Sequence, residues 1–300
     1  PNGVGITGAL PACRGTSRRR CGPRLRQEST CSAAAPLSQT AIMSVGGRRI
    51  RPLFKRAMML TATLLAATAG IMAAGTSRSL SRYSTLEVEV IGDSPNNAAK
   101  EGIDWPSLRK ENPDVVGWLT VEGASISYPV TSERGEHAGG WYLKHDFWGR
   151  TSTLGCPYID PRCTTEASHI LIYGHTVDAP DSMFTPLSHA YEQQTFSLIG
   201  DAHWSTPEHG DATFKPLMAI NVDALYPDIQ QFRFASNNGL RSFLRSLSKD
   251  ASCCAENKEE LIERARRVLS LVTCPSPHEG ECTRTIVIFV QLQARSRPLR

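Results

Sequence analysis

Val268-Leu269-Ser270-Leu271-Val272-Thr273-Cys274-Pro275-Ser276-Pro277 decides how this chain is read. The segment from Val268 to Thr273 is rich in Val and Leu and reads as a strand. The prolines that follow cannot continue a central strand, because proline donates no ladder hydrogen bond. The strand therefore delivers a cysteine at its end. A second run, Ile170-Leu171-Ile172-Tyr173, is apolar throughout and stops at Gly174-His175. A third, Thr285–Leu292, is opened by Arg284. Strands hold side chains rigidly, and strand ends expose them. Three such ends on one rim would bring together a nucleophile, a proton shuttle and a charge stabiliser. Taken singly, each residue has a plainer reading. A lone strand-end Cys is most often a small buried hydrophobe, a His after Gly a turn residue, and an Arg at a strand start a solvated edge charge.

Working outward, short strands are predicted at Val115–Val121 and Ser125–Val130, separated by a Glu122-Gly123 turn, and at Phe214–Val222. Helices are fewer. One is predicted at Asp104–Lys110, ended by Asn112-Pro113, and others at Ser182–Ala190 and Gly239–Leu247. A last one spans Glu256–Arg267, with acids early and bases late, as the helix dipole prefers. Many short strands with few helices predict a mainly β fold, a closed or nearly closed barrel.

The 300 residues carry a net charge of +4 that is unevenly spread. Residues 1–56 hold eleven Lys and Arg against the single acid Glu28, leaving the remainder at −6. Nucleic-acid binding needs a basic face on the folded domain, and none is visible, so that class is set aside. Residues 1–42 have no periodicity and precede Met43, which opens a conventional N-terminus; they read as an unstructured upstream extension. Residues 43–56 form a basic segment. The uncharged, Ala- and Leu-rich stretch 57–75 approaches the roughly 20 apolar residues of a spanning helix. Positive residues before it favour the cytoplasmic side, so the expected topology is a single-pass anchor with the rest of the chain outside. A cleaved signal peptide ending near Ala73-Ala74-Gly75 is the alternative, and the length of the stretch favours the anchor. Residues 76–96 lack a core pattern and read as a linker. The expected catalytic domain runs from 97 to 294, with a tail at 295–300.

Several segments together resemble the class B sortases. Ser270-Leu271-Val272-Thr273-Cys274 is similar to the sortase Thr-Leu-x-Thr-Cys signature. Ile172-Tyr173-Gly174-His175-Thr176, followed by Met183-Phe184-Thr185-Pro186-Leu187, resembles the segment around the family's histidine, and Arg284 falls where the family places its arginine. Asn112-Pro113-Asp114-Val115-Val116-Gly117-Trp118-Leu119, Ile126-Ser127-Tyr128-Pro129-Val130 and Tyr142-Leu143-Lys144-His145-Asp146-Phe147 also look like class B segments. The similarity covers residues 104–293 in the family's order.

The resemblance implies a sortase-like eight-stranded β-barrel with an N-terminal helix and an inserted helix before the cysteine strand. It implies a cysteine transpeptidase with catalytic Cys274, His175 and Arg284, no cofactor and no metal. Its partners would be exported proteins bearing a C-terminal sorting signal, and an amine of a peptidoglycan precursor or a pilin. An imidazolium at His175 would favour the Cys274 thiolate and protonate the leaving amine. This sequence departs from the pattern in three places. Ser270 replaces Thr, Val272 stands where a Ser is common, and Pro275 follows the nucleophile. Without an N–H, Pro275 supplies no oxyanion donor, which places more of that task on Arg284.

Other readings use the same residues. Cys274, His278 and Cys282 form a Cys-x₃-His-x₃-Cys run that suits structural zinc. A cysteine peptidase that only hydrolyses, and an inactive relative that only binds, also fit. Cys156 and Cys163 bracket Asp160-Pro161 and are spaced to close a small disulfide loop. His137, His145, His169, His189, His203 and His209 have no ligand spacing and read as surface or loop residues.

Overall fold

The computed structural model describes residues 52–91, 102–137, 139–223, 226–273 and 283–293, without the side chains of 52–57, 69 and 71–73. Residues 1–42, most of the basic segment and the tail 295–300 lie outside the described residues. By contacts the chain divides near residue 72, and the part from Ala73 onward is described first.

Helix α1 (Pro52–Ile91) is followed by α2 (Trp105–Glu111), β1 (Val115–Val121), β2 (Ile126–Ser132), β3 (Tyr158–Ile159) and β4 (His169–Gly174). Next come α3 (Gln193–Phe196), β5 (Ala202–Thr206), β6 (Gly210–Asp223), α4 (Asn237–Leu247), β7 (Cys253–Cys254), α5 (Lys258–Arg264), β8 (Ala265–Thr273) and β9 (Thr283–Leu292). Eight strands close a barrel in the order β5-β1-β2-β3-β4-β8-β9-β6, with β6 returning to β5. The short β7 adds to the part of β6 that β5 does not reach. The expected mainly β barrel of eight strands is therefore the fold. β8 and β9 run almost wholly buried along their length, as strands covered on both faces must be.

Local sequence accounts for most boundaries. Asp104 caps α2 by accepting from the Ser107 amide at 3.2 Å, satisfying one of the helix's free donors. Ser236 caps α4 in the same way through the Gly239 amide. One face of α4, Leu240, Phe243, Leu244 and Leu247, is buried. Each such side chain contributes about 1.5–3 kcal/mol on full burial.

Several expectations are corrected. Of the expected linker 76–96, residues 92–96 lie outside the described residues, and residues 76–91 are not a linker, because α1 continues to Ile91 and buries Tyr83, Leu86 and Val90. Their helical spacing is hidden among Ser, Arg and Glu. Ser182–Ala190 is not a helix; only the 3-10 turn Thr185–Leu187 forms, after Met183 takes a left-handed φ of 52°. The helix predicted for Glu256–Arg267 stops at Arg264. Ala265 turns to extended backbone and opens β8 instead, where Arg267 donates to the Thr165 and Ala167 carbonyls. The polar strand β5 was not expected, because Ala202-His203-Trp204-Ser205-Thr206 carries little apolar signal. Cys156 and Cys163 are free thiols, not a disulfide. Cys156 is within reach of Thr131 Oγ1 and the Pro129 carbonyl, and Cys163 of the Asp160 carbonyl.

Among the described residues no helix is long and apolar enough to cross a membrane. Five residues of the expected anchor 57–75 have side chains outside the description. In the part before residue 72, Met58, Met59, Leu60, Leu64 and Leu65 are helical and exposed.

His169 is fully buried and is not a surface or loop residue. Its Nδ1–H donates to the Gln231 carbonyl at 2.8 Å, and Nε2 accepts from Ser270 Oγ at 2.8 Å. Ser270, the departure from the family's Thr, thus supplies the hydroxyl that keeps a neutral imidazole satisfied. Burial pushes the His169 pKa down to about 4 from 6.5. Between those values the unfolded chain takes up a proton that the folded one refuses. Stability is therefore lost as pH falls from 6.5 toward 4, by on the order of 3 kcal/mol from this group. Urea unfolding across that range should show a shallower pH dependence in His169→Gln than in the parent; an unchanged slope would refute the assignment.

Candidate active site

Three neighbouring strands end at one rim. Parallel β4 and β8 pair Ile172 with Leu271, Tyr173 with Val272 and Gly174 with Thr273. Antiparallel β8 and β9 pair Val272 with Ile286. One step on, Thr273 Oγ1 donates to the Thr285 carbonyl at 3.2 Å and accepts from the Thr285 amide at 3.1 Å. His175 and Arg284 are the residues next to these pairs, on either side of the β8 end. Cys274 follows Thr273 directly but lies outside the described residues, as do Pro275, His278 and Cys282.

Alternation along the strands sets one face toward a small hollow. Tyr173, Val272, Ile286 and Arg284 line it, together with Asp223 at the end of β6 and Tyr226 and Ile229 beyond it. Arg284 is 7% exposed, and its Nε has no hydrogen-bond partner among the described residues. An unpaired guanidinium N–H is costly to bury unless something accepts from it. Tyr173 donates to Asp160 Oδ2 at 3.0 Å, and Arg162 grips both carboxylate oxygens at 2.9 and 2.7 Å. Burial raises the Tyr173 pKa, with the Asp160 charge adding to it, so its hydroxyl keeps its proton. Arg162 also donates to Gln230 Oε1 at 2.7 Å, tying the loop beyond Tyr226 to the barrel.

His175 sits in a slot made by two backbone segments. Its Nε2–H donates to the Leu143 carbonyl at 2.6 Å. Gly155 lies against the ring at φ +62°, where a Cβ would stand 2.5 Å from both His175 Cδ2 and the Tyr142 carbonyl. Gly174 likewise has no room for a side chain, because the Phe184 ring covers it. The slot is shaped from below by Glu133, a buried carboxylate that accepts from the Gly140 and Tyr142 amides at 2.9 and 3.4 Å. This holds the 3-10 turn Trp141–Leu143 that presents the Leu143 carbonyl. Burial lowers the His175 pKa, and the Leu143 bond only partly restores it. Burial thus works against the imidazolium expected from sequence, and the Leu143 carbonyl favours the proton on Nε2. Nδ1 is left as the nitrogen able to take up or release a proton.

Sequence reasoning missed Leu143, Gly155 and Glu133. A main-chain carbonyl leaves no trace in side-chain chemistry, and Gly155 before Cys156-Pro157 reads only as a turn. Among the described residues no three His, Cys, Asp or Glu side chains are grouped to hold a metal ion. Gly155→Ala should displace the His175 ring and lower turnover by about tenfold to a hundredfold, the effect of roughly 1 Å misplacement. Parent-like turnover in that variant would refute the slot as a determinant of the histidine's position.

Comparison with known proteins is consistent with this geometry. The chain is 34% identical over 188 residues to sortase B of Staphylococcus aureus, covering 62% of this chain and 73% of that protein. It is 25% identical over 187 residues to sortase B of Listeria monocytogenes, covering 60% and 70%. No protein-family model matches. Among solved structures, sortase B from S. aureus superposes with a TM-score of 0.56 at 19% identity, covering 74% of this chain and 98% of that one. Sortase B from Bacillus anthracis gives 0.58 at 17%, covering 73% and 98%, and that from Clostridium perfringens 0.53 at 22%, covering 63% and 99%. The structural matches carry the barrel fold, and the sequence match carries the kinship: this chain belongs to the sortase B family of cysteine transpeptidases.

Proposed function

We propose that this enzyme cleaves a C-terminal sorting signal on exported proteins with Cys274 as nucleophile, His175 as acid–base and Arg284 as oxyanion stabiliser. The observation that supports it best is the convergence of Gly174, Thr273 and Thr285 on one rim. Cys274 Sγ attacks the carbonyl carbon of the substrate Thr, and the oxyanion forms opposite the guanidinium. The C–N bond then breaks, a thioester remains on Sγ, and the leaving amine takes a proton relayed by His175 Nδ1. An acceptor amine attacks the thioester, gives up a proton to His175, and restores the thiol by displacing sulfur. On this reading the acceptor is an amine of a peptidoglycan precursor or a pilin. Pro275 has no N–H to offer the oxyanion, and Arg284 Nε, without a partner among the described residues, is a donor suited to that task.

Cys274→Ala should abolish release of product from a sorting-signal peptide. Arg284→Ala should lower kcat by about 10²–10³. Arg284→Lys should fall within a few-fold of Arg284→Ala, because a point charge replaces a planar fork; near-normal turnover by the Lys variant would remove Arg284 from this role. Added amine should divert product from free acid to the amide. Release of acid that is insensitive to amine would make the enzyme a hydrolase.

The same proposal holds the enzyme at the bacterial cell membrane through one N-terminal helix, with the barrel outside. Support comes from the uncharged stretch 57–75 behind the basic cluster, and from the exposed Met58, Leu60, Leu64 and Leu65. Lysines at both Leu64 and Leu65 would each cost about 2.5–3.5 kcal/mol at a helix centre in the bilayer. That double variant should move from the membrane fraction to the soluble one. Its retention in membranes would refute the anchor.

A further inference from the structure

Beneath the slot that holds His175 lies a tyrosine from the N-terminal helix. Tyr83 is 3% exposed, and its hydroxyl, beside the Cys156 thiol, makes two directed bonds to the backbone. It donates to the Gly155 carbonyl at 3.0 Å and accepts from the Phe147 amide at 2.9 Å. Gly155 is the residue whose Cα faces the His175 ring. The next residue, Cys156, donates its amide to the Tyr142 carbonyl at 2.9 Å, which joins the two walls of the slot. Burial keeps the Tyr83 hydroxyl protonated, its pKa lying well above 10, so the bond to Gly155 persists at any working pH.

Docking of the helix does not require that hydroxyl. Leu86 and Val90 bury the same side of α1, and a phenylalanine at position 83 would cover nearly the same apolar area. What the hydroxyl adds is direction: it fixes a left-handed turn that has no side chain of its own to hold it. A buried donor and acceptor that both lose their partner relax at a cost, and the turn between them is what moves.

We propose that Tyr83 is a positioning residue for His175, setting the Gly155 wall of its slot and thereby making catalysis depend on the docked N-terminal helix. The proposal rests on the reading of His175 as the acid–base of the transpeptidase. The helix that carries Tyr83 is continuous with the stretch proposed as the anchor.

The test compares Tyr83→Phe, Leu86→Ala and His175→Ala in the full chain in detergent. The readouts are kcat and KM for a sorting-signal peptide with added amine, Tm, and the ring-proton titration of His175 by NMR. Tyr83→Phe should lose about tenfold or more in kcat with KM within about twofold. Its His175 titration should move to higher pH as water reaches a loosened slot. Leu86→Ala should lower Tm at least as much while keeping kcat and the titration of the parent. Parent-like kcat and titration in Tyr83→Phe, with His175→Ala inactive, would overturn the proposal. So would an equal loss of kcat in Leu86→Ala, since general loosening would then explain both. Full activity in His175→Ala would overturn the acid–base reading and the kinetic half of the proposal, while the titration still decides whether Tyr83 sets the slot.

Discussion

The parallel pairing of β4 with β8 is the constraint on which the rest depends. Two parallel neighbours cannot be joined by a hairpin; the chain must leave one end of the sheet and return to the other. Here the return takes everything from His175 to Arg264, including two barrel strands and three helices. That long excursion closes the barrel, because β5 and β6 lie within it and link β1 to β9. It also brings the loop around Tyr226 and Ile229 back over the strand ends. A hairpin would have left the rim bare. The crossover both lines up His175 with the end of β8 and supplies a wall beside it.

Burial makes the polar groups near that rim consequential. An unpaired buried donor or acceptor costs more than a bond to water, so nearly every such group has a fixed partner. His169 is satisfied by Ser270 and Gln231, Tyr173 by Asp160, and Asp160 by Arg162. Glu133 has its oxygens filled by backbone amides. Among the described residues, Arg284 Nε, Thr176 Oγ1 and Trp141 Nε1 are the buried side-chain atoms around the site that have no hydrogen-bond partner. Arg284 and His175 flank the end of β8 on its two neighbouring strands.

Much of the fold was legible from residue pattern. The β1 bounds agree with the sequence reading at both ends, and β4, β8 and β9 were located by their apolar runs, because strands covered on both faces must be continuously apolar. Helix α4 was legible because its caps and its buried stripe agree. Tyr83, Leu86 and Val90 were overlooked because three apolar residues among Ser, Arg and Glu give a weak moment until the barrel supplies a surface to match. β5 was overlooked for the converse reason: its polar residues pair well in a strand, but only the neighbours β1 and β6 select that state. The boundary at Arg264 was also invisible, since the charge pattern favours helix while pairing with Leu292 favours strand.

By itself, the sequence pointed to Cys274, His175 and Arg284 as the reactive side chains, each written beside an apolar run. Strand periodicity and proline are local, and local rules need no partner. Only the tertiary structure decided the rest. Register made β4, β8 and β9 neighbours, and register is a property of pairs of strands. The state of His175 came from burial and from a carbonyl of Leu143, neither of which has a side-chain signature. Tyr83 reached the slot through contacts made by residues 64 and 72 positions away. Such contacts exist only after the chain has closed, because a hydroxyl acquires a directed role when folding removes the water that would otherwise satisfy it.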